Sequence, residues 1–160
     1  MKLSNKLTAA LAAAVSMAGV AHAAPTATYA MKAGAGDLYE ITSSKLVMNS
    51  ANPKIKSFAT MMVTDHNKST AMVKAALAKS NFKPKPPMMN AKQNADVAAL
   101  RAASGANRDT LYLTQQKSAH QEALALHKDE QATGATPALK TTAGNIVPVV
   151  EHHIQMLSSM

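Results

Sequence analysis

Between Asn52 and the run Phe82-Lys83-Pro84-Lys85-Pro86-Pro87 the chain carries an apolar stripe that a helix gathers onto one side. At 100° per residue, Ile55, Ala59, Met62, His66, Val73 and Leu77 fall within an arc of about 60°. Phe58 and Ala76 broaden that stripe, while Lys54, Lys56, Lys68 and Lys74 lie mostly elsewhere. Asn52 is placed as the N-cap, and Pro53 takes the first helical position, where a missing N–H costs nothing. The prolines after Phe82 cannot stay helical, so that stretch reads as a crossover loop.

The remaining segments follow the same period. Asp37 can cap a first helix that runs to about Ser50, with Glu40 three residues later completing a capping box. A short helix is expected over 94–103, interrupted by Ser104-Gly105. A third long helix, 107–132, places Leu113, His120, Ala123, Leu124 and His127 on or close to one face, and Gly134 stops it. Thr136-Pro137 opens the last helix, whose apolar face centres near His153 among Ile146, Val149, Val150, Met156 and Leu157. Gly144 and Pro148 are expected to bend or interrupt it. The fold class is all-α: a four-helix bundle, ferritin-like, with a short extra helix in the crossover between helices two and three.

The N-terminus reads differently. Lys2 and Lys6 precede an apolar or small run from Leu7 to Val20, and Ala21-His22-Ala23 has the small-x-small pattern of a cleavage site. Residues 1–23 are therefore expected to be a signal peptide, 24–36 a flexible leader broken by Pro25, Gly34 and Gly36, and 37–160 the bundle domain. The apolar run is short and alanine-rich for a membrane span. A periplasmic location follows from this reading, with secretion as the alternative.

Composition narrows the chemistry. With no cysteine there is no disulfide, thiolate nucleophile or thiolate metal ligand. Seventeen Lys and Arg stand against nine Asp and Glu, a net charge of +8. The positive charge is scattered and lacks an aromatic stacking platform, which argues against nucleic acid and supports only weak association with anionic envelope surfaces. No nucleophile motif, phosphate-binding glycine loop or H-E-x-x-H is present.

Three histidines sit near the centre of apolar helical stripes: His66, His120 and His153, on helices two, three and four. Helix one offers Glu40 on the side shared with Val47. A single histidine on an apolar face is ordinarily a satisfied core residue. Three on three helices, with a carboxylate on the fourth, point to a metal site, because buried imidazoles and carboxylates must be paired or coordinated. Nitrogen and oxygen donors suit zinc, iron, manganese or copper. Asp65, beside His66, and His127, two turns after His120, are secondary candidates. Glu151 and His152 are expected on the exposed flank. In an up-down-up-down order the four principal groups sit at only approximately compatible depths. The Glu-x-x-His pairing of diiron bundles is absent at His66, His120 and His153. Among the methionines only Met88-Met89 looks ligand-like for copper.

These residues also carry a resemblance. Asp37-Leu38-Tyr39-Glu40-Ile41, the segment Ile55 to His66 with its Phe58-Ala59 and Asp65-His66, Asp109 and Tyr112, Ala119-His120, and Pro148 with His153 together resemble the DUF4142 family of exported bacterial proteins. Members often carry the label "predicted outer membrane protein". The resemblance implies a ferritin-like bundle and export, with no established reaction. Its pattern falls on Glu40, Asp65, His66, Asp109, Tyr112, His120 and His153. Arg108 departs from the phenylalanine common at that position, which bears on packing at the start of helix three.

Three functions fit the sequence: a periplasmic metal-binding bundle linked to envelope stress or metal homeostasis, a non-enzymatic structural or interaction protein with structural histidines, or an enzyme using a single metal.

Overall fold

The computed structural model describes residues 18–160. Five helices follow in order: α1 (Ala18–Lys45), α2 (Pro53–Lys79), α3 (Ala91–Ala102), α4 (Gly105–Thr133) and α5 (Pro137–Ser158). The long helices α1, α2, α4 and α5 form the four-helix bundle, and α3 is the short helix of the crossover. Of the expected signal peptide, residues 1–17 lie outside the described residues.

Local chemistry sets the helix ends. The Asn52 side chain accepts from the Lys54 N–H at 3.0 Å, and Pro53 opens α2. The far end closes with a left-handed residue, Asn81 (φ 53°), flanked by bonds from Asn81 N–H to Ala78 O and from Phe82 N–H to Leu77 O. That pair of bonds is a Schellman closure. The α2 stripe is buried as its period requires: Ile55, Phe58, Ala59, Met62, His66, Val73, Ala76 and Leu77 all face inward. Asn90 and Gln93 form a reciprocal capping box at the start of α3.

Two expectations are corrected. The flexible leader over 24–36 is instead part of α1, which runs through Pro25, Gly34 and Gly36. Thr26, Tyr29, Ala30, Ala33, Asp37, Glu40, Ser44 and the following Val47 are buried at three- and four-residue intervals, so this face packs although it is small and polar. Asp37 is thus no helix cap, and no Asp37–Glu40 capping box forms. Gly34 serves a close approach: a Cβ there would lie 2.9 Å from Pro87 Cβ in the crossover. The last helix, in turn, is not interrupted; α5 continues through Gly144 and Pro148.

The order of directions also differs from up-down-up-down. Tyr29 meets His127 and Ser44 meets Tyr112, so α1 and α4 are antiparallel. Val73 and Leu77 share an apolar cluster with Leu139 and Ala143, and Ile55 and Phe58 share another with Leu157, so α2 and α5 are antiparallel. With a short turn joining α1 to α2, the helices α2 and α4 point the same way at opposite corners. The crossover must therefore travel back along the bundle. It does so over α1 and α4, burying Val97 and Leu100 of α3.

Two apolar clusters result, one around Tyr29, Leu77, Leu139 and Ile146, the other around Phe58, Met62, Tyr112 and Leu157. Between them, on every long helix, lies a layer of buried polar side chains: Asp37 and Glu40, His66, His120, and His153. A polar layer inside an apolar core costs free energy unless its groups are hydrogen-bonded or coordinated.

Candidate metal centre

The return crossover brings the four principal residues to one depth. Glu40, His66, His120 and His153 are all buried, His120 and His153 completely. The imidazole centroids lie 5.8 Å apart for His66–His120, 5.6 Å for His66–His153 and 5.3 Å for His120–His153. Each ring offers one ligand nitrogen, and the three lie within 4.8 Å of one another.

The opposite nitrogens are all occupied by acceptors. His153 Nε2 donates to Asp65 Oδ2 at 3.0 Å. His120 Nδ1 donates to the Gln116 carbonyl at 2.9 Å, with Glu40 Oε1 at 3.2 Å. His66 Nδ1 donates to Asp37 Oδ1 at 2.8 Å, with Glu40 Oε2 at 3.0 Å. Ionised carboxylates and carbonyls only accept, so each of these outer nitrogens carries a proton. The inward nitrogens are then His66 Nε2, His120 Nε2 and His153 Nδ1. His66 Nε2 is buried without a hydrogen-bond partner, as is Glu40 Oε1. His120 Nε2 and His153 Nδ1 lie 3.3 Å apart.

Electrostatics divides the rings. Burial, reinforced by the neighbouring His66 and His153, pushes His120 down to about 3 against the pull of the Gln116 carbonyl. Burial lowers His153 as well, opposed by its bond to Asp65. Burial works the same way on His66, but the Glu40 charge, the Asp37 bond and charge, and Asp65 outweigh it and raise that ring to about 9. Glu40 rises to about 7, driven by burial and Asp37 and opposed by His66. A second grouping follows: Asp37, Glu40 and His66 also bring one ligand atom each within 4.8 Å. The buried His, Asp and Glu side chains thus cluster in a geometry compatible with a divalent metal ion.

Among the other sequence candidates, Asp65 alone bonds to a ring of this centre. His127 bonds through Nδ1 to the Tyr29 hydroxyl at 3.0 Å, and burial pushes it down to about 4. Asp65 is not a free rim residue; it holds His153. Tyr112 bonds to Ser44 and Asp109 to Ser50, at the end of the bundle. Arg108 is anchored there by its guanidinium, which donates to the Ala103 and Leu46 carbonyls. Met88 is exposed in the crossover. Glu151 and His152 are exposed, as the sequence indicated. The residue that sequence reasoning missed is Asp37, which also accepts from Thr70 at 2.8 Å. Its spacing of three from Glu40 is the available signal, and that spacing equally fits a capping box.

A four-helix bundle with a return crossover and a buried histidine–carboxylate layer is the class of protein that fold and site define. The chain belongs to the DUF4142 family, described as a domain of unknown function, whose profile matches residues 9–160. No curated protein matches it in sequence. Among solved structures it is similar to a DUF305 fragment from Deinococcus radiodurans, with a TM-score of 0.74, 15% identity, and coverage of 84% of this chain and 93% of that one. At that identity the likeness concerns the fold alone.

Proposed function

We propose that the protein is an exported, periplasmic, ferritin-like bundle that binds a divalent transition metal, serving metal homeostasis or envelope stress. The ion is held by His66 Nε2, His120 Nε2 and His153 Nδ1, with Asp37, Glu40, Asp65 and the Gln116 carbonyl orienting the rings from behind. The observation that carries this reading is the opposition of His120 Nε2 and His153 Nδ1 at 3.3 Å, both stripped of protons by their outer partners. Two lone pairs at that distance repel. An ion between them removes the repulsion, and metal–nitrogen bonds of about 2.0–2.1 Å in a tetrahedron separate ligand atoms by about 3.3 Å. Outer acceptors of this kind are the usual support of metal-bound imidazoles. Once His66, raised to about 9, releases its second ring proton to solvent on ion binding, three imidazole nitrogens suit zinc, iron, manganese or copper. Export is supported by the basic and apolar N-terminus, and by Pro25: after cleavage at Ala23 it stands in the first turn of α1, where proline is tolerated.

The alternative, a structural or interaction protein of the envelope, is favoured by the hydrogen bonds that already hold each ring from outside. One experiment separates the two. The untagged protein is purified from periplasm, its N-terminal residue determined and its metal content measured, beside a folded variant carrying His66→Ala and His120→Ala. Near-stoichiometric metal in the parent, lost in the variant, and a chain starting at Ala24 are expected. A metal-free parent that takes up none of the four metals would sink the metal reading.

A further inference from the structure

His66 faces two groups of donors. Through Nε2 it looks toward His120 and His153; through Nδ1 it looks toward Asp37 and Glu40. The second group is as closely built as the first. Asp37 Oδ1 and Glu40 Oε2 stand 2.8 and 3.0 Å from His66 Nδ1. Those separations match a hydrogen-bonded set, and equally the ligand edges of about 3.0 Å around an ion with bonds near 2.1 Å at right angles. One feature favours the ion. Glu40 is nearly fully buried, and its Oε1 has no hydrogen-bond partner. The nearest ring nitrogen, His120 Nδ1, has its proton directed to the Gln116 carbonyl.

Charge argues the same way. Two carboxylates are buried side by side on α1, and among the described residues the one cation they pair with is His66, since burial holds His120 neutral beside Glu40 Oε1. Once ion binding ionises Glu40 fully, Asp37, Glu40 and Asp65 bring three negative charges to the centre, one more than a single divalent ion balances. Two divalent ions and one bridging imidazolate leave the layer neutral.

Resting on the three-histidine reading above, we propose that the centre has a second divalent-cation position formed by Asp37, Glu40 and His66 Nδ1, so that the His66 ring bridges two ions. On double loading, His66 gives up its remaining ring proton to solvent and each nitrogen donates a lone pair to one ion. Thr70, bonded to Asp37 Oδ2, steadies that carboxylate in the second position.

The test is ion stoichiometry of the full mature chain titrated with Zn(II), and the electron paramagnetic resonance of the Cu(II)-loaded protein. Two equivalents are expected for the parent and one for Asp37→Asn, which keeps the shape and the Thr70 contact. The doubly loaded Cu(II) protein is expected to lose signal per copper through exchange coupling across the ring. A single equivalent in the parent overturns the second position and leaves the three-histidine site standing. Two equivalents with uncoupled Cu(II) signals overturn the bridge. No uptake at all removes the three-histidine reading, and the second position with it.

Discussion

His120 Nε2 and His153 Nδ1 confront each other across 3.3 Å, and neither has a proton to share. Each ring has committed its one N–H to an outer acceptor, Gln116 O or Asp65 Oδ2, and burial holds both rings neutral. An ion bound between them therefore stabilises the folded chain and not the unfolded one. At a free concentration 100 times the Kd the gain is about 2.7 kcal/mol. For a domain of this size that raises Tm by several degrees. Thermal unfolding with Zn(II) and after chelation checks it; equal melting curves contradict it.

Removing one of the facing rings has two separable effects. His120→Ala leaves a cavity in a fully buried position and is expected to cost about 2–4 kcal/mol in the ion-free protein. It also abolishes the ion-dependent rise in Tm. His152→Ala, one residue from His153 but exposed, changes neither. Urea unfolding of the two variants, with and without Zn(II), gives the comparison.

Asp65 acts through His153. Asp65→Asn keeps an acceptor for the Nε2 proton but removes the negative charge that makes the ring a better donor to an ion. Metal affinity is expected to fall about 10–100-fold, with the fold intact. Competition titration against a chromophoric chelator reads the change; unaltered affinity would mean that Asp65 is only a surface carboxylate.

Ion-free stability is expected to peak near pH 6.5. His120 and His127 have folded values of about 3 and 4, below an unfolded value of 6.5. The unfolded chain therefore takes up protons that the folded chain refuses, and stability falls as pH drops below 6.5, by up to about 1.4 kcal/mol per unit for each ring. Glu40, raised to about 7, opposes part of this loss. His66, raised to about 9, contributes stability that is present below 6.5 and lost as pH rises toward 9. Urea midpoints across this range, in chelator, trace the curve. His127→Gln should flatten the acid limb.

The stripe of α2, the Asn52 cap, the start of α5 at Pro137, the crossover and three of the core histidines were legible because period and proline chemistry are local. The directions of the helices were not. Whether α4 runs with or against α2 depends on the path of the crossover, which burial of Val97 and Leu100 decides. The first half of α1 is hidden in the sequence because Pro25, Gly34 and Gly36 read as breaks and its buried face, apart from Tyr29, is the small or polar Thr26, Ala30, Ala33 and Asp37. For the same reason Asp37 looks like a cap in the sequence, although its partner is His66 on the next helix.

The two glycines of α1 make that point testable. Gly36 has nothing within 4 Å of an added Cβ, whereas Gly34 would meet Pro87 at 2.9 Å. Gly36→Ala is expected to stabilise by about 0.5–1 kcal/mol through helix propensity. Gly34→Ala is expected to lose that gain to the displaced crossover. If both substitutions stabilise equally, the crossover does not pack on α1 as described.

The most direct test of the metal centre is X-ray absorption at the zinc edge of the Zn(II)-loaded protein at one equivalent. A shell with three imidazole nitrogens at about 2.0–2.1 Å is expected, with the imidazole signature lost in His66→Ala and His120→Ala together. A shell of oxygens alone, or a spectrum the double substitution does not alter, would place the ion elsewhere and contradict the assignment of His66, His120 and His153 as its ligands.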